Sequence, residues 1–206
     1  MTKRKPPLPM APAGLAGRLF GFLMERMNRP AYDLTLSLVD PQAGQAILEV
    51  GFGTGKLLEM FSQAAPRLHL AGVEPTETML DVANARKRLR ERAGVLDLRL
   101  GTADALPWRE DMFDTVAALH CFQFWPEPGR ALREIRRVLK PGGGLVMVFR
   151  DHGKHAPDFL PNPVSKSGDE VGGAMALLRT TGFAKVAAAG AAGSSAAVTA
   201  EAAAGA

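Results

Sequence analysis

Five short apolar runs alternate with helical segments between residues 46 and 149, and this alternation constrains the fold more than any other feature of the chain. The runs cover residues 46–50, 68–73, 95–100, 113–119 and 144–149, and the helical segments cover residues 55–64, 76–92 and 127–139. Strands that alternate with helices form parallel sheets, because each helix returns the chain across one face of the sheet in a right-handed crossover. The sequence therefore predicts an α/β fold with a doubly wound sheet.

The two ends of the chain have different patterns. Helical periodicity runs from about Gly14 to Asn28, and a second short helix is predicted from Tyr32 to Leu38, before Asp40. Residues 169–183 predict one more helix. The Ala-rich remainder contains only Val186 and Val198 as apolar strand centres, which indicate two final strands.

Doubly wound sheets bind ligands beyond the carboxyl ends of their strands, so the loops that follow the strands are the expected place for a site. The first such loop contains Gly51, Gly53 and Gly55, directly after the apolar run that ends at Val50. Glycines permit a tight turn and close approach of a ligand, and the amides that open the next helix can bind an anion. The third glycine comes one residue too early for the dinucleotide fingerprint GxGxxG, which favours a smaller ligand.

An acidic side chain accompanies each of the first three predicted strands. Glu49 lies two residues before the first glycine and can orient loop amides or receive a ligand ammonium group. Glu74 lies at the tip of the second strand, where a carboxylate can accept both hydroxyls of a ribose or simply cap a helix. Asp104 follows the third strand and can accept from the amine of an adenine while the Ala105 amide donates to a ring nitrogen.

Five segments together resemble the class I S-adenosylmethionine-dependent methyltransferases, in particular the small-molecule branch (type 11) that includes the ubiquinone/menaquinone-type enzymes. They are LEVGFGTG (48–55), GVEPTETML (72–80), GTADALPW (101–108), FDTVAALHCFQFW (113–125) and LREIRRVLKPGGGLVMV (132–148). The segments follow the family's order across about half of the chain. The resemblance implies a Rossmann-like, seven-stranded, mostly parallel sheet with helices on both faces and an antiparallel last strand.

The resemblance also implies S-adenosyl-L-methionine as the cofactor. Glu49 and residues 51–55 would face its methionine moiety, Glu74 its ribose, and Asp104 with Ala105 its adenine. The complete set of predicted cofactor-binding residues is Tyr32, Glu49, Gly51, Phe52, Gly53, Thr54, Gly55, Glu74, Pro75, Met79, Ala103, Asp104, Ala105 and Leu119. No metal site is expected, because His152 and His155 have HxxH spacing without a third ligand.

His120, directly after the fourth strand, is the predicted catalytic residue. It would lie beside the methyl group, and an unperturbed imidazole titrates near neutrality, so His120 can act as a base or orient the acceptor. Methyl transfer from a sulfonium is an in-line displacement, to which positioning contributes much of the catalysis. The alternative is that His120 only binds the cofactor or the backbone. Phe122, Phe124 and Trp125 would form an acceptor wall or part of the core.

The net charge of +4 is carried by the N-terminus. Residues 1–30 contain six basic side chains and only one acid, Glu25, so the other 176 residues have a net charge of −1. This balance argues against nucleic acid as a partner. The basic run at residues 86–92 is expected to be a solvated helix face. We expect residues 1–40 to form a basic extension with lid helices, and residues 41–206 to form the methyltransferase domain.

Several functional alternatives remain open from the sequence alone. The preferred function is transfer of a methyl group to a small-molecule O, N or C acceptor, with Phe22, Met27 and Tyr32 as candidates to close over the site. The alternatives are a phospholipid or quinone methyltransferase that contacts a membrane through the basic N-terminus, a non-catalytic S-adenosylmethionine-binding regulator, and an NAD-dependent oxidoreductase.

The cellular setting is expected from composition. The single cysteine, Cys121, excludes an internal disulfide, and no run approaches the roughly 20 apolar residues of a membrane span. We therefore expect a cytoplasmic protein, either a monomer or a homodimer.

Overall fold

A computed structural model describes residues 22–150 and 168–203. Predictions for residues 14–21, for His152 and for His155 lie outside these ranges. The strands are β1 (Ala46–Val50), β2 (His69–Glu74), β3 (Val95–Leu100), β4 (Phe113–Leu119), β5 (Leu139–Arg150), β6 (Phe183–Ala191) and β7 (Ser195–Ala202). The helices are α1 (Arg29–Val39), α2 (Lys56–Ala64), α3 (Glu77–Asn84), α4 (Lys87–Arg92), α5 (Pro128–Val138) and α6 (Gly168–Thr180), and residues 22–27 are also helical.

The strands form one seven-stranded sheet in the order β3-β2-β1-β4-β5-β7-β6. All neighbouring pairs from β3 to β5 are parallel, whereas β7 runs antiparallel between β5 and β6. The predicted doubly wound sheet with an antiparallel last strand is confirmed. The strand order reverses between β1 and β4, and this is the point at which such sheets bind ligands.

Helices cover both faces of the sheet, as the sequence predicted. On one face, α5 and α6 bury residues such as Leu132, Ile135 and Leu178 against the sheet. On the other face, α1 and α2 bury residues such as Ala31 and Phe61. Burial on both faces explains the almost continuous apolar sequences of the central strands, because neither side of these strands contacts water.

The segment at residues 76–92 differs from the prediction of a single helix. It forms two helices, α3 and α4, separated by Ala85 and Arg86. The backbone of Arg86 is extended, with φ −70° and ψ 101°, and its side chain is engaged in ion pairs. These long-range contacts are invisible to helical periodicity, which explains the error.

The N-terminal helices are separated where the sequence predicted a break. Asn28 is a turn residue, and Pro30 lies in the first turn of α1, where a missing amide hydrogen has no consequence. Helix α1 ends at Val39 and is followed by Asp40, whose φ of 43° is left-handed. Ala31 and Val39 are buried in the core, and the division of the chain at residue 40 stays a prediction.

Candidate functional site

The glycine-rich loop joins β1 to α2 at the carboxyl edge of the sheet. Gly51, Gly53 and Gly55 all have left-handed φ values, of 74°, 52° and 75°. A Cβ on Gly51 would lie 2.8 Å from the Cβ of Cys121, and one on Gly55 would lie 2.8 Å from the Cβ of Ala83. A Cβ on Gly53 would meet no atom within 4 Å. Packing thus demands two of the glycines, while Gly53 presents bare backbone to open space.

Glu74 joins this loop to the end of β2. Its Oε2 accepts a hydrogen bond of 3.0 Å from the Gly53 amide, and its Oε1 accepts one of 2.6 Å from the Thr76 hydroxyl. Burial raises the pKa of the Glu74 carboxyl, although these hydrogen bonds partly oppose that rise. Oε1 also accepts a hydrogen bond of 3.2 Å from the Thr76 amide. A carboxylate offers about four lone-pair positions, so Glu74 retains capacity for about one further donor, at Oε2.

Glu49 lies beneath the loop and is only 2% exposed. Its Oε2 has no hydrogen-bond partner. Burial, with the nearby Glu74 carboxylate as a second cause, raises the pKa of Glu49 well above its ordinary value, while Arg86 opposes the shift. A buried carboxylate of this kind is stabilised when a positively charged group approaches it.

The remaining predicted residues of this half of the site surround the loop. Phe52, Thr54, Met79, Ala103 and Leu119 are buried, whereas Pro75 is exposed. The ring of Phe52 would lie 2.5 Å from a Cβ on Gly72, so β2 requires a glycine beneath it. The carbonyl oxygen of Thr54 accepts a hydrogen bond from Nε of Arg86.

The predicted adenine end lies after β3. Asp104 and Ala105 line a cleft of about 390 Å³ together with residues of α5, namely Arg130, Arg133 and Glu134, and with Leu106. The Ala105 amide already donates to the Thr102 carbonyl oxygen at 3.2 Å. Its predicted donation to an adenine nitrogen would therefore require that bond to open, and the role of Asp104 stays a prediction.

His120 occupies the position after β4 with a left-handed φ of 51°. Its Nε2 lies 2.9 Å from the hydroxyl of Ser195, and its Nδ1 is buried without a partner. Burial, with the positive charge of Arg150 as a second cause, lowers the pKa of His120 to about 3. The imidazole is therefore neutral at pH 7, which favours orientation of a substrate over proton uptake. Its catalytic role stays a prediction.

Cys121 is buried and contacts the end of β1. Its Sγ lies 3.1 Å from the carbonyl oxygen of Val50. Burial is the main cause that raises the pKa of this thiol, and the carboxylates of Glu49 and Glu74 add to it. A protonated, enclosed thiol is a poor nucleophile, so Cys121 acts as a packing residue.

Residues 48–147 match the family described as a methyltransferase domain. This segment is a methyltransferase domain. The chain is 35% identical over 137 residues to the demethylmenaquinone methyltransferase of Thermus thermophilus. The aligned region covers 65% of this chain and 59% of that protein. It is 28% identical over 130 residues to an uncharacterized methyltransferase of Bacillus subtilis. That alignment covers 63% of this chain and 70% of the relative.

The fold of the methyltransferase domain also recurs in solved structures. A SAM-dependent methyltransferase from Aquifex aeolicus superposes with a TM-score of 0.70 at 21% identity, covering 86% of this chain and 93% of that one. The predicted resemblance to class I methyltransferases is thus confirmed. The chain spans between about half and two thirds of the length of most of the curated relatives it matches.

The N-terminal helices bring further side chains to the methyltransferase domain. Tyr32 lies near Glu49, and burial, with the Glu49 charge as a second cause, raises the pKa of its phenol. Phe22 and Met27, the other predicted lid residues, are 53% and 49% exposed. Closure by this segment stays a prediction.

Sequence reasoning missed four residues near the site. Arg86 binds Glu25 and Glu59 and the Thr54 carbonyl, so it is not part of the predicted solvated face. The other three are Ser195, which contacts His120, and Arg150 and Asn28, which contact each other. The one available signal was that Arg150 directly follows the predicted strand at residues 144–149, at the ligand-binding edge. Ser195 gave no signal, because it reaches the site through the antiparallel pairing of β7.

Proposed function

We propose that this protein is an S-adenosyl-L-methionine-dependent methyltransferase that acts on a small-molecule acceptor. The observation that carries the proposal is the arrangement of the glycine loop between two buried carboxylates. Gly53 exposes its backbone to open space, Glu74 is bonded to its amide, and Glu49 keeps an unpartnered oxygen.

The residues of the loop fit this cofactor by charge and by shape. Glu49 would hold a positively charged group of the methionine moiety, since its buried oxygen lacks a donor. Glu74 would accept the ribose hydroxyls, one of them in place of a hydrogen bond from Thr76, and its negative charge would repel a 2′-phosphate. The bound cofactor would supply an electrophilic methyl carbon attached to a positively charged sulfur.

The residues after β4 and β5 would act on the acceptor. The neutral imidazole of His120 is held by Ser195 and would orient the acceptor in line with the methyl group. Phe122, two residues after His120, packs against the buried core residue Phe149, with ring centroids 5.4 Å apart. Exclusion of water and alignment of the reacting atoms would provide several kcal/mol of the rate enhancement.

The proposal is tested first by binding. Isothermal titration calorimetry of the full chain with S-adenosyl-L-methionine and with NAD should show binding of the former only, and Glu49→Gln should weaken it. Lys185→Gln, an exposed substitution on β6, is the matched control. Binding of NAD, or of neither ligand, would contradict the proposal.

Catalysis is tested with labelled cofactor against a panel of O, N, C and S acceptors. Transfer of label to a small molecule should be detected, and His120→Ala should lower kcat by about tenfold or more. Undiminished transfer would refute the role of His120. Cofactor binding without transfer to any acceptor would favour the non-catalytic regulator.

A quinone or another acceptor at a membrane surface is the second candidate. Two observations favour it: similarity to a demethylmenaquinone methyltransferase, and the exposed apolar side chains of Phe22, Leu23 and Met27 beside the exposed Arg26. Helices with this composition bind anionic membrane surfaces. No helix within residues 22–150 and 168–203 is long and apolar enough to cross a bilayer.

Vesicle sedimentation separates this candidate from the first. The protein should co-sediment at low salt with vesicles that contain anionic lipid, and less with neutral vesicles. The double variant Phe22→Ser, Leu23→Ser should lose this binding. Equal recovery in the supernatant with both vesicle types would exclude the membrane candidate and leave the small-molecule proposal intact.

A further inference from the structure

Four buried side-chain atoms lack a hydrogen-bond partner among the residues that the structure describes. They are Glu49 Oε2, His120 Nδ1, Gln123 Oε1 and Arg150 Nε. All four residues lie at or just beyond the carboxyl ends of β1, β4 and β5, which are neighbours in the sheet. Buried polar atoms are nearly always paired in folded proteins, so their concentration at one edge indicates a ligand that completes them.

Arg150, the last residue of β5, is the unusual member of this group. Its Nη2 donates to the Asn28 side-chain oxygen at 2.6 Å, which fixes the guanidinium. Within the described parts of the chain, no carboxylate forms an ion pair with it. Burial lowers the pKa of Arg150, so its charge is desolvated without compensation by an acid. A half-buried cation without an acidic partner among the described residues is costly, and an anionic ligand oxygen would relieve that cost.

Two side chains that interact with Arg150 within the described part of the chain, Tyr32 and His120, carry no negative charge at neutral pH. The raised pKa of Tyr32 keeps its phenol protonated, and the lowered pKa of His120 keeps its imidazole neutral. Gln123 donates its Nε2 to the His120 carbonyl at 2.8 Å, which leaves its oxygen as an acceptor. Arg150 and Gln123 together thus offer one positive charge and one neutral hydrogen-bond acceptor.

We infer that Arg150 determines acceptor specificity by binding an anionic oxygen, a carboxylate or a phenolate, of the methyl acceptor. Gln123 Oε1 would accept a hydrogen bond from a hydroxyl or amino group beside that oxygen. The inference rests on the proposed function, because it places the acceptor beside the cofactor loop. The cofactor's own carboxylate is the other source of the same anionic chemistry, and the experiment below distinguishes the two.

The test uses two probes that differ in charge but hardly in shape, 2-hydroxybenzoate and 2-hydroxybenzamide. Each is titrated at pH 7 into the full chain saturated with S-adenosyl-L-homocysteine. The anionic probe should bind at least about tenfold more tightly, the ratio expected of one charged hydrogen-bonded pair. Arg150→Gln should abolish the preference and Arg150→Lys should retain part of it. Arg92→Gln, on the exposed surface of α4, is the matched control.

Two results with the probes overturn the inference. One is a wild-type protein that shows no preference for the anionic probe, including one that binds neither probe. The other is a preference that persists in Arg150→Gln. If Arg150→Gln does not fold, Asn28→Ala removes the partner of the guanidinium instead and should reduce the preference, and an unchanged preference again overturns the inference.

The affinity for S-adenosyl-L-homocysteine separates the two sources of the anion. It should change less than about threefold in Arg150→Gln if the acceptor supplies the anionic oxygen. A larger loss in Arg150→Gln, together with a wild-type protein that does not discriminate between the probes, would assign Arg150 to the cofactor carboxylate and overturn the inference. A wild-type chain that fails to bind S-adenosyl-L-homocysteine would contradict the proposed function instead, and the probes would then be compared on the ligand-free protein.

Discussion

The imidazole of His120 lies 2.9 Å from the Ser195 hydroxyl, although 75 residues separate them in the chain. Antiparallel pairing of β7 with β5 brings the first residue of β7 opposite Arg150, at the carboxyl edge of the parallel strands. Ser195 engages Nε2, so Nδ1 is the nitrogen left for a ligand. The orientation of the predicted catalytic residue therefore depends on a strand beyond residues 48–147.

We expect His120 to make the protein less stable in acid. Its pKa is about 3 in the folded protein and 6.5 ordinarily, so below pH 6.5 the unfolded chain binds a proton that the folded chain rejects. This contribution to stability is complete above pH 6.5 and is lost by up to about 1.4 kcal/mol per pH unit as the pH falls towards 3.

Denaturant unfolding at pH 7.5 and pH 5 measures this effect. His120→Asn is the informative variant, because asparagine tolerates the left-handed φ of 51° that this position requires. The variant should lose less stability between the two pH values than the wild type. Parallel losses in the two proteins would show that His120 is protonated equally in the folded and unfolded states.

Gly53→Ala should reduce cofactor affinity by more than it reduces stability. A Cβ at this position meets no protein atom, so the stability loss should be about 1 kcal/mol from the left-handed backbone alone. Gly44→Ala is the matched control, because Gly44 also has a left-handed φ, of 82°, and open space around it. Calorimetry with S-adenosyl-L-methionine should show weakened binding for Gly53→Ala only; similar affinities of the two variants would argue against a cofactor at this loop.

Glu49→Gln should stabilise the cofactor-free protein while it weakens cofactor binding. The pKa of Glu49 is raised in the folded state, so its favourable contribution is present below pH 4.5 and lost as the pH rises above that value. At pH 7.5 the neutral amide should raise the free energy of unfolding by about 1 kcal/mol or more. The gain should diminish towards pH 4.5, and a gain that does not depend on pH would contradict this explanation.

Arg86→Gln should destabilise the fold and loosen the glycine loop. The guanidinium pairs with Glu59 at 2.6 Å and with Glu25, and its side chain is only 14% exposed. Removing one partner of a buried pair costs about 3 kcal/mol or more, equivalent to a melting-point decrease of about 6–12 °C. Arg88→Gln, the exposed neighbour on α4, should melt within about 2 °C of the wild type. Equal melting points for the two variants would show that the Arg86 pairs contribute nothing.

The local sequence was sufficient to predict the frame of the site. Buried strands such as Ala46–Val50 need apolar residues, and the loop after β1 needs Gly51 and Gly55 because neighbouring side chains occupy the space of a Cβ. These requirements act within one strand and its loop, so they produce a recognisable pattern of apolar residues and glycines in the sequence. Glu49 and Glu74 follow from the same pattern, since each has a fixed distance from a strand end.

Charged and polar partners from distant segments could not be predicted in this way. Arg86 belongs by sequence to a basic helical run, yet its contacts with Glu25 and Thr54 interrupt that helix. Such pairs form only when packing brings two elements together, and each partner alone resembles an ordinary surface residue.

By itself, then, the sequence determined a doubly wound sheet with a glycine loop and two acidic strand ends, because backbone geometry and burial fix those residues locally. Only the tertiary structure decided which side chains from other elements contact one another near this loop. The arrangement of His120, Ser195, Asn28 and Arg150 joins four separate elements, and no spacing along the chain encodes it. The frame that would hold a cofactor was readable in the sequence, whereas the side that would select the acceptor arises from the packing of the sheet.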